Sequence, residues 1–304
     1  MNVTFNLVRP KIKILALFYG ICVSSSLALA SSNYPSKAIK DSLVAIMSFN
    51  IRNSNAKDGS NDWEHRKKWV GDLIHFYKPG IIGMQEVLHD QLLYIESKLS
   101  QYGHIGIGRN DGGTKGEYSP IFYNKARYKL IEKATFWLSE SPEKPSISWG
   151  AATYRIVTWG KFKDKVTEES FFIFNTHFDN RENAREKSAK LLLEKVHHIA
   201  GRSQAIVIGD FNSKNESQTY QILTVSNKKN KGLFDTAKLA KNKYGPDWTF
   251  HSFGSVPVKN RERIDYIFSN KKVKVKQYVS ISEQRGNLFP SDHLPILAHI
   301  QLKE

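Results

Sequence analysis

Four apolar runs of strand length punctuate the chain, at residues 43–50, 81–87, 171–179 and 205–212. Unbroken runs of this length, bounded by turn residues, predict buried strands. Further strands are predicted at 102–108, 120–123, 128–138, 153–163, 263–268, 271–280 and 296–300. The basic alternation of 271–280 predicts an edge strand, since lysines protect an edge from pairing with another chain. Between the runs the spacing changes to that of helices. Residues 62–77 place Trp63, Trp69, Val70, Leu73 and Phe76 on one side, with Asn61 and Glu64 spaced as a capping box and Pro79-Gly80 as the stop. Helices are also predicted at 89–99, at 182–199 (with Leu191, Leu192, Val196 and Ile199 facing the core) and at 217–225. Strand, helix and strand in succession predict an α/β fold. Residues 109–117 form a polar glycine-rich loop without the residue order of a P-loop, and 139–150 a Pro/Ser loop. Residues 227–257 are lysine-rich and loop-like, with Trp248, Phe250 and Phe253 interleaved.

The informative feature is how the strands end. The first stops at Asn50, the second at Glu86. A carboxylate that follows an apolar run needs a partner, and a divalent cation suits it because hard ions prefer oxygen ligands. The third ends in Asn175-Thr176-His177, the fourth in Asp210-Phe211-Asn212. Residues i and i+2 of an extended segment point the same way, so Asp210 and Asn212 are expected to face one site together. Asp265 lies in a fifth strand, and Ser291-Asp292-His293-Leu294-Pro295 directly precedes the last one. A carboxylate beside an imidazole fixes its tautomer and holds it charged enough to meet a phosphate. Arg155 suits either a phosphate contact or a cross-strand ion pair. Taken singly, each is as ordinary as a turn asparagine or a solvated ion pair.

Composition narrows the surroundings. A chain of 304 residues has room for one large domain or two small ones, and its formal charge of +16 favours polyanionic partners, nucleic acid or an anionic membrane surface. Residues 1–30 read as a secretory signal: Arg9, Lys11 and Lys13, an apolar run over 14–23, and Ala28-Leu29-Ala30 as the cleavage pattern. Cleavage there removes three cations, leaves +13, and removes Cys22, the single cysteine. No disulfide framework is then expected. Residues 31–41 are read as a linker and 42–304 as the domain. The expected location is the periplasm or the exterior.

The ordered blocks Phe49-Asn50-Ile51-Arg52, Gln85-Glu86-Val87, Asn175-Thr176-His177, Gly209-Asp210-Phe211-Asn212, Ile264-Asp265-Tyr266-Ile267 and Ser291-Asp292-His293-Leu294-Pro295 strongly resemble the endonuclease/exonuclease/phosphatase (DNase I-like) superfamily. The wording around Asn61-Asp62-Trp63, Tyr118-Ser119-Pro120 and Arg155-Ile156-Val157 is similar to a bacterial branch with motifs like those of carbon-catabolite-repressor-type deadenylases. His177 departs from the apurinic-endonuclease pattern, which has Tyr there. The resemblance implies a four-layer α/β sandwich: two mixed β-sheets packed face to face with helices outside. It implies metal-assisted phosphoester hydrolysis, with Glu86 on Mg²⁺ (or Mn²⁺), Asn50 nearby, and one or two ions. It implies Asp210 as the group that orients and deprotonates water, with Asn212 holding phosphate and water in line. His293, paired with Asp292 or Asp265, donates to a phosphoryl oxygen, and His177 stabilises charge or protonates the leaving group. Glu117 is placed to orient His177, and Arg155 to touch substrate.

Three readings follow. The first is an exported Mg²⁺-dependent nuclease-type phosphodiesterase, favoured by charge and interleaved aromatics. The second is a phosphatase or phospholipase C-type enzyme on a small phosphoester or lipid headgroup. The third is an inactive binding module, against which the complete polar set argues. The pattern names no protein partner, and a monomer is expected.

Overall fold

The computed structural model describes Met1 and residues 42–225 and 231–302. Apart from Met1, the expected export signal and linker lie outside these residues. The strands are β1 (Leu43–Asn50), β2 (Ile81–Gln85), β3 (Tyr102–Ile105), β4 (Ile121–Asn124), β5 (Tyr128–Trp137), β6 (Ile156–Asp164), β7 (Ser170–His177), β8 (Gln204–Asp210), β9 (Phe234–Asp235), β10 (Ala240–Tyr244), β11 (Asp265–Ser269), β12 (Lys274–Ser280) and β13 (Ile296–Gln301). The helices are α1 (Trp63–Tyr77), α2 (His89–Lys98), α3 (Glu182–Ala200), α4 (Gln218–Thr224) and the single turn α5 (Thr236–Leu239). Seven strands pair in the order β10-β12-β13-β1-β2-β4-β3 and six in the order β5-β6-β7-β8-β11-β9. Both sheets are mixed: β1 runs parallel to β2, and β7 to β8, within otherwise largely antiparallel neighbours. The four-layer α/β sandwich is therefore the architecture.

Period-two alternation sorts the side chains into layers. Val44 and Ile46 of β1, Ile81 of β2, Ile173 of β7, Ile206 and Ile208 of β8 and Ile267 of β11 fill the space between the sheets. The opposite faces meet the helices: Met47, Phe49, Ile82 and Met84 pack on Val70, Leu73 and Ile74 of α1 and on α2. Phe172, Phe174 and Val207 pack on Leu192, Leu193 and Val196 of α3. The sheets approach closely at Gly83, where an added Cβ would lie 2.4 Å from Ile208 Cδ1 and 2.7 Å from Asn175 Cγ. One polar bridge crosses that gap. Asn175 Nδ2 donates to the Met84 and Pro120 carbonyls, each at 2.8 Å, and its Oδ1 accepts from Gln85 Nε2 at 2.7 Å.

Several sequence expectations are corrected. The strand expected at the edge over 271–280 is interior, because β10 pairs parallel to β12 on its outer side. β10 reads Ala-Lys-Asn-Lys-Tyr and is largely exposed, so it carries no apolar alternation to find. Edge protection falls instead to Lys241 and Lys243. Asn61 and Glu64 form no capping box: Asp62 is the N-cap, and its Oδ1 accepts from the Asp58 amide across the preceding turn. Phe76 is 75% exposed. Ile74 takes its place in the core, two positions earlier. None of the described helices is long and apolar enough to cross a membrane.

Candidate active site

The inner faces of five strands turn from apolar to polar at one end of the sandwich. Asn50 follows Ile46 and Ser48 on β1, and Gln85 follows Ile81 and Gly83 on β2. Asn175 and His177 follow Ile173 on β7, and Asp210 follows Ile206 and Ile208 on β8. Asp265 opens the antiparallel β11. His177 is the register partner of Asp210 and Asp210 of Asp265, which sets three ionisable groups side by side. The loop before β13 adds Asp292 and His293. Glu86 sits one residue past β2 in a left-handed conformation, φ 60°, that turns it toward Asn50.

Asn50 organises the centre. Its Nδ2 donates to Glu86 Oε1 and to Asp210 Oδ2, both at 3.0 Å, while its Oδ1 accepts from the Arg52 amide. The amide oxygen, the atom that would ligate a metal, is thus turned to the backbone. Asp210 Oδ1 accepts from the Asn212 amide at 2.9 Å. Asn212 is not extended as expected: its φ is 48°, and this turn, rather than strand alternation, brings it beside Asp210 in the site. Its Nδ2 donates to the Phe178 carbonyl and reaches His177 Nε2 at 3.0 Å. The carbonyl fixes that atom as a donor, so Nε2 accepts and the neutral ring carries its proton on Nδ1. Among the described residues His177 Nδ1 has no hydrogen-bond partner, with Glu117 Oε2 4.0 Å away.

Of the two partners expected for His293, Asp265 takes the role: its Oδ2 lies 2.8 Å from His293 Nδ1. His293 Nε2 faces Asp210 Oδ2 at 3.7 Å. Asp292, adjacent in sequence, faces away toward Arg52, whose Nε lies 3.9 Å from its Oδ2. Arg155 is in the site wall but is paired with Asp179 at 3.3 Å, the ion-pair alternative. Glu117 is held by Arg109 at 2.5 Å rather than by His177.

Electrostatics divides the two histidines. Burial lowers both imidazoles, but Asp265 and Asp210 override it at His293 and raise its pKa well above the usual value. At His177 burial is joined by Arg155, Arg109 and His293, and the pKa falls well below 6.5. Burial and the neighbouring Asp265 push Asp210 up to about 7, against His293 and the Asn212 and Asn50 hydrogen bonds. Burial alone would raise Glu86. The Asn50 hydrogen bond and the charges of His293 and Arg52 bring it below the carboxylate range instead. Asp292 is raised by burial and by Glu86, against His293.

Glu86, His177, Asp210, Asn212, Asp292 and His293 line a cavity of about 640 Å³. Two carboxylates, the half-buried Glu86 and the buried Asp292, both approach Arg52: its guanidinium lies 4.0 Å from Glu86 Oε2 and 3.9 Å from Asp292 Oδ2. That donor set fits a hard divalent ion, which is commonly held by one or two carboxylates with water and phosphate completing its shell. Asp210, Asp265 and His293 are also close enough to hold a cation. There, His293, held cationic, would first have to release the proton of its ligating nitrogen.

Sequence reasoning missed Arg52, Asn53, Arg109 and Thr249 as contributors. Asn53 donates to Glu86 Oε2 from both its amide and its side chain. Arg52 stood inside a quoted block, but its φ of 59° and its clamp on Asp58 belong to a loop that periodicity does not describe.

A sandwich whose strand ends gather carboxylates, amides and a charged imidazole is built for phosphoester chemistry. Residues 47–293 match the Endonuclease/Exonuclease/phosphatase family, and the chain belongs to it. Hydrolysis of phosphoester bonds is the activity of that family, and a divalent metal its typical cofactor. The chain is similar to a Bacteroides vulgatus endonuclease/exonuclease/phosphatase, at 41% identity and a TM-score of 0.82 over 86% of this chain and 99% of that one. A mannosyl-6-phosphatase of Bacteroides thetaiotaomicron is 32% identical, with a TM-score of 0.77 over 84% of this chain and 99% of that one. The Candida albicans CCR4-Not complex 3'-5'-exoribonuclease subunit Ccr4 is 26% identical over 80% of this chain, which spans only 38% of that protein. The chain likewise spans 59% of a mimivirus relative.

Proposed function

We propose that the protein is a divalent-metal-dependent phosphatase that releases inorganic phosphate from a small, hydroxyl-rich phosphoester, a hexose phosphate being the type. The observation that carries this is the chemistry of the cavity wall. Glu117, Glu262, Asn53, Asn180 and Asn260 offer acceptors and amides suited to hydroxyl groups. Its three cations, Arg52, Arg155 and the raised His293, are each engaged by a carboxylate, and no lysine is among the described lining residues. A nucleic-acid backbone needs uncommitted cations along its path. The mannosyl-6-phosphatase relative supports the same substrate class. The nuclease reading retains the +16 charge and the likeness to Ccr4 in its favour. Export rests on the pattern of residues 1–30.

Glu86 and Asp292 would hold the metal, which when bound neutralises charge on the phosphoryl and leaving oxygens. Asp210, with a pKa near neutrality, accepts a proton from the attacking water. The Asn212 carbamoyl is anchored through its nitrogen, which leaves its oxygen to orient that water. His293, kept cationic by Asp265, donates its Nε2 proton to a non-bridging oxygen as negative charge builds. His177, neutral, does not serve as the acid, and the leaving oxygen takes its proton from solvent water. Nearly all of this is positioning and electrostatics, which is what phosphoryl transfer requires.

The test is a panel of mannose 6-phosphate, glucose 6-phosphate, single-stranded RNA and sphingomyelin, with Mg²⁺ and with EDTA. Phosphate release from the hexose phosphates, abolished by EDTA, is expected. RNA cleavage that falls steeply with salt, with no phosphate released from the sugars, overturns the reading in favour of the nuclease.

A further inference from the structure

A second cleft, of about 580 Å³, lies on the other side of one wall of the reactive cavity. The stretch 248–262 forms that wall. Phe250, Ser252 and Val256 line the reactive cavity, whereas Trp248, Phe253 and Arg261 line the cleft. Ser252 and Phe253 are consecutive left-handed residues, φ 47° and 53°. That conformation is uncommon without glycine and rare for a bulky side chain, and backbone strain of this kind concentrates at ligand sites. Here it sends one side chain to each cavity.

The cleft is chemically unlike its neighbour. Its walls are the rings of Trp248, Phe253 and Phe289 and the exposed amides of Gln284 and Asn287. Each ring has a packing partner: Arg261 stacks on Trp248 at 4.4 Å, Arg66 lies 5.2 Å from Phe253, and His251 packs on Phe289 at 4.4 Å. No carboxylate is among the described lining residues, and the only lining cation, Arg261, is stacked on Trp248 and donates to the Val256 carbonyl. Rigid aromatic surface with a few amide groups suits a neutral ligand that is apolar on its faces and hydroxylated at its rim. Single-stranded nucleic acid also stacks on rings, but it requires a basic track beside them.

We propose that this cleft binds the neutral sugars of a phosphorylated oligosaccharide whose phosphorylated residue occupies the reactive cavity. The inference rests on the sugar-phosphatase reading and extends its substrate from a hexose phosphate to a glycan. Two experiments separate the claims. In the full-length chain carrying Glu86→Gln, mannotriose is titrated by calorimetry. Saturable binding is expected, weakened at least fivefold by Phe253→Ala and by the exposed pair Gln284→Ala with Asn287→Ala. No binding, or binding unchanged in the exposed double variant, overturns the cleft. So does preferential, salt-sensitive binding of an adenine tetranucleotide. In the active enzyme, kcat/KM for 6-phosphorylated mannotriose should exceed that for mannose 6-phosphate at least fivefold, and equality overturns the extension. If neither ester is hydrolysed while mannotriose still binds, the phosphatase reading fails and the cleft stands.

Discussion

Thr249 joins the two halves of the Asp265–His293 pair. Its Oγ1 accepts from the Ile264 and Asp265 amides at 3.1 and 3.2 Å, and its carbonyl accepts from the Leu294 amide at 2.7 Å. Thr249→Val keeps the shape and strands two amides, at about 1–3 kcal/mol for each buried unsatisfied group. It should lower kcat about tenfold and shift the His293 titration, while Thr249→Ser restores both; an unmoved imidazole titration by NMR would refute the positioning role. Asp265→Asn should do more. Without that counter-charge burial pulls His293 toward neutrality, and the rate is expected to fall about 10²-fold. Asp210 gives the pH dependence. Its folded pKa, about 7, lies above the unfolded carboxylate value, so the folded state binds more protons between the two. Its contribution to stability is complete below the unfolded pKa and is lost as pH rises through about 7. Activity runs the other way, rising as the base ionises. Asp210→Asn should therefore abolish the acid limb of kcat, and the melting temperature of the variant minus that of wild type, metal-free, should grow from pH 5 to pH 8.

Between elements, the site depends on how closely the sheets meet and how firmly the last loop is tied down. Gly83 lets β2 approach β8 and the Asn175 bridge. The side chain of Ile208 can yield, but that of Asn175 is pinned by three hydrogen bonds. Gly83→Ala is therefore expected to cost about 1–3 kcal/mol by overpacking, read by denaturant unfolding. Arg66 of α1 straps the Ser291–Pro295 loop to β1, donating to the carbonyls of Asn61, Ile51 and Pro290 at 2.5, 2.9 and 2.7 Å. Arg66→Met leaves three inward carbonyls without that donor. A loss of about 3 kcal/mol is expected. Hydrolysis should fall with it, since Asp292 and His293 ride on the same loop.

For the whole molecule, the question is what the charge is for. The +16 is real, yet the reactive cavity does not concentrate it. Arg202, Lys271 and Lys272 gather beside the starts of β7 and β8, at the opposite end of those strands from His177 and Asp210. Hydrolysis of a hexose phosphate should therefore change less than about threefold between 50 and 200 mM salt. A nucleic-acid binder making six to ten phosphate contacts would lose roughly 10³–10⁵ in affinity. At the same scale, Glu86→Gln should leave the circular dichroism unchanged and lower hydrolysis at least 10²-fold, with excess Mg²⁺ restoring little. Full activity in that variant would remove Glu86 from the metal wall.

The α/β succession was legible in sequence because the buried strands carry unbroken apolar runs and the helices carry spaced apolar faces, whereas the four-layer sandwich was implied by the resemblance of the ordered blocks. The polar ends of those runs were legible too, since period-two alternation extends through Asn50, Asn175, His177 and Asp210 without a break. β10 was not, because an exposed edge strand has no core face to pattern. The choice of Asp265 over Asp292 for His293 was open in sequence. Chain adjacency favours Asp292, but its carboxylate turns toward Arg52, and tertiary packing brings Asp265 of β11 within 2.8 Å of the imidazole. Asn212 was assigned to the site by an alternation that does not hold there; a left-handed turn delivers it instead. Sequence alone thus determined which residue types end each strand, because alternation and burial are local constraints. Tertiary structure decided which of them touch, which histidine is charged and what the second cleft offers, because those depend on distances between segments far apart in the chain.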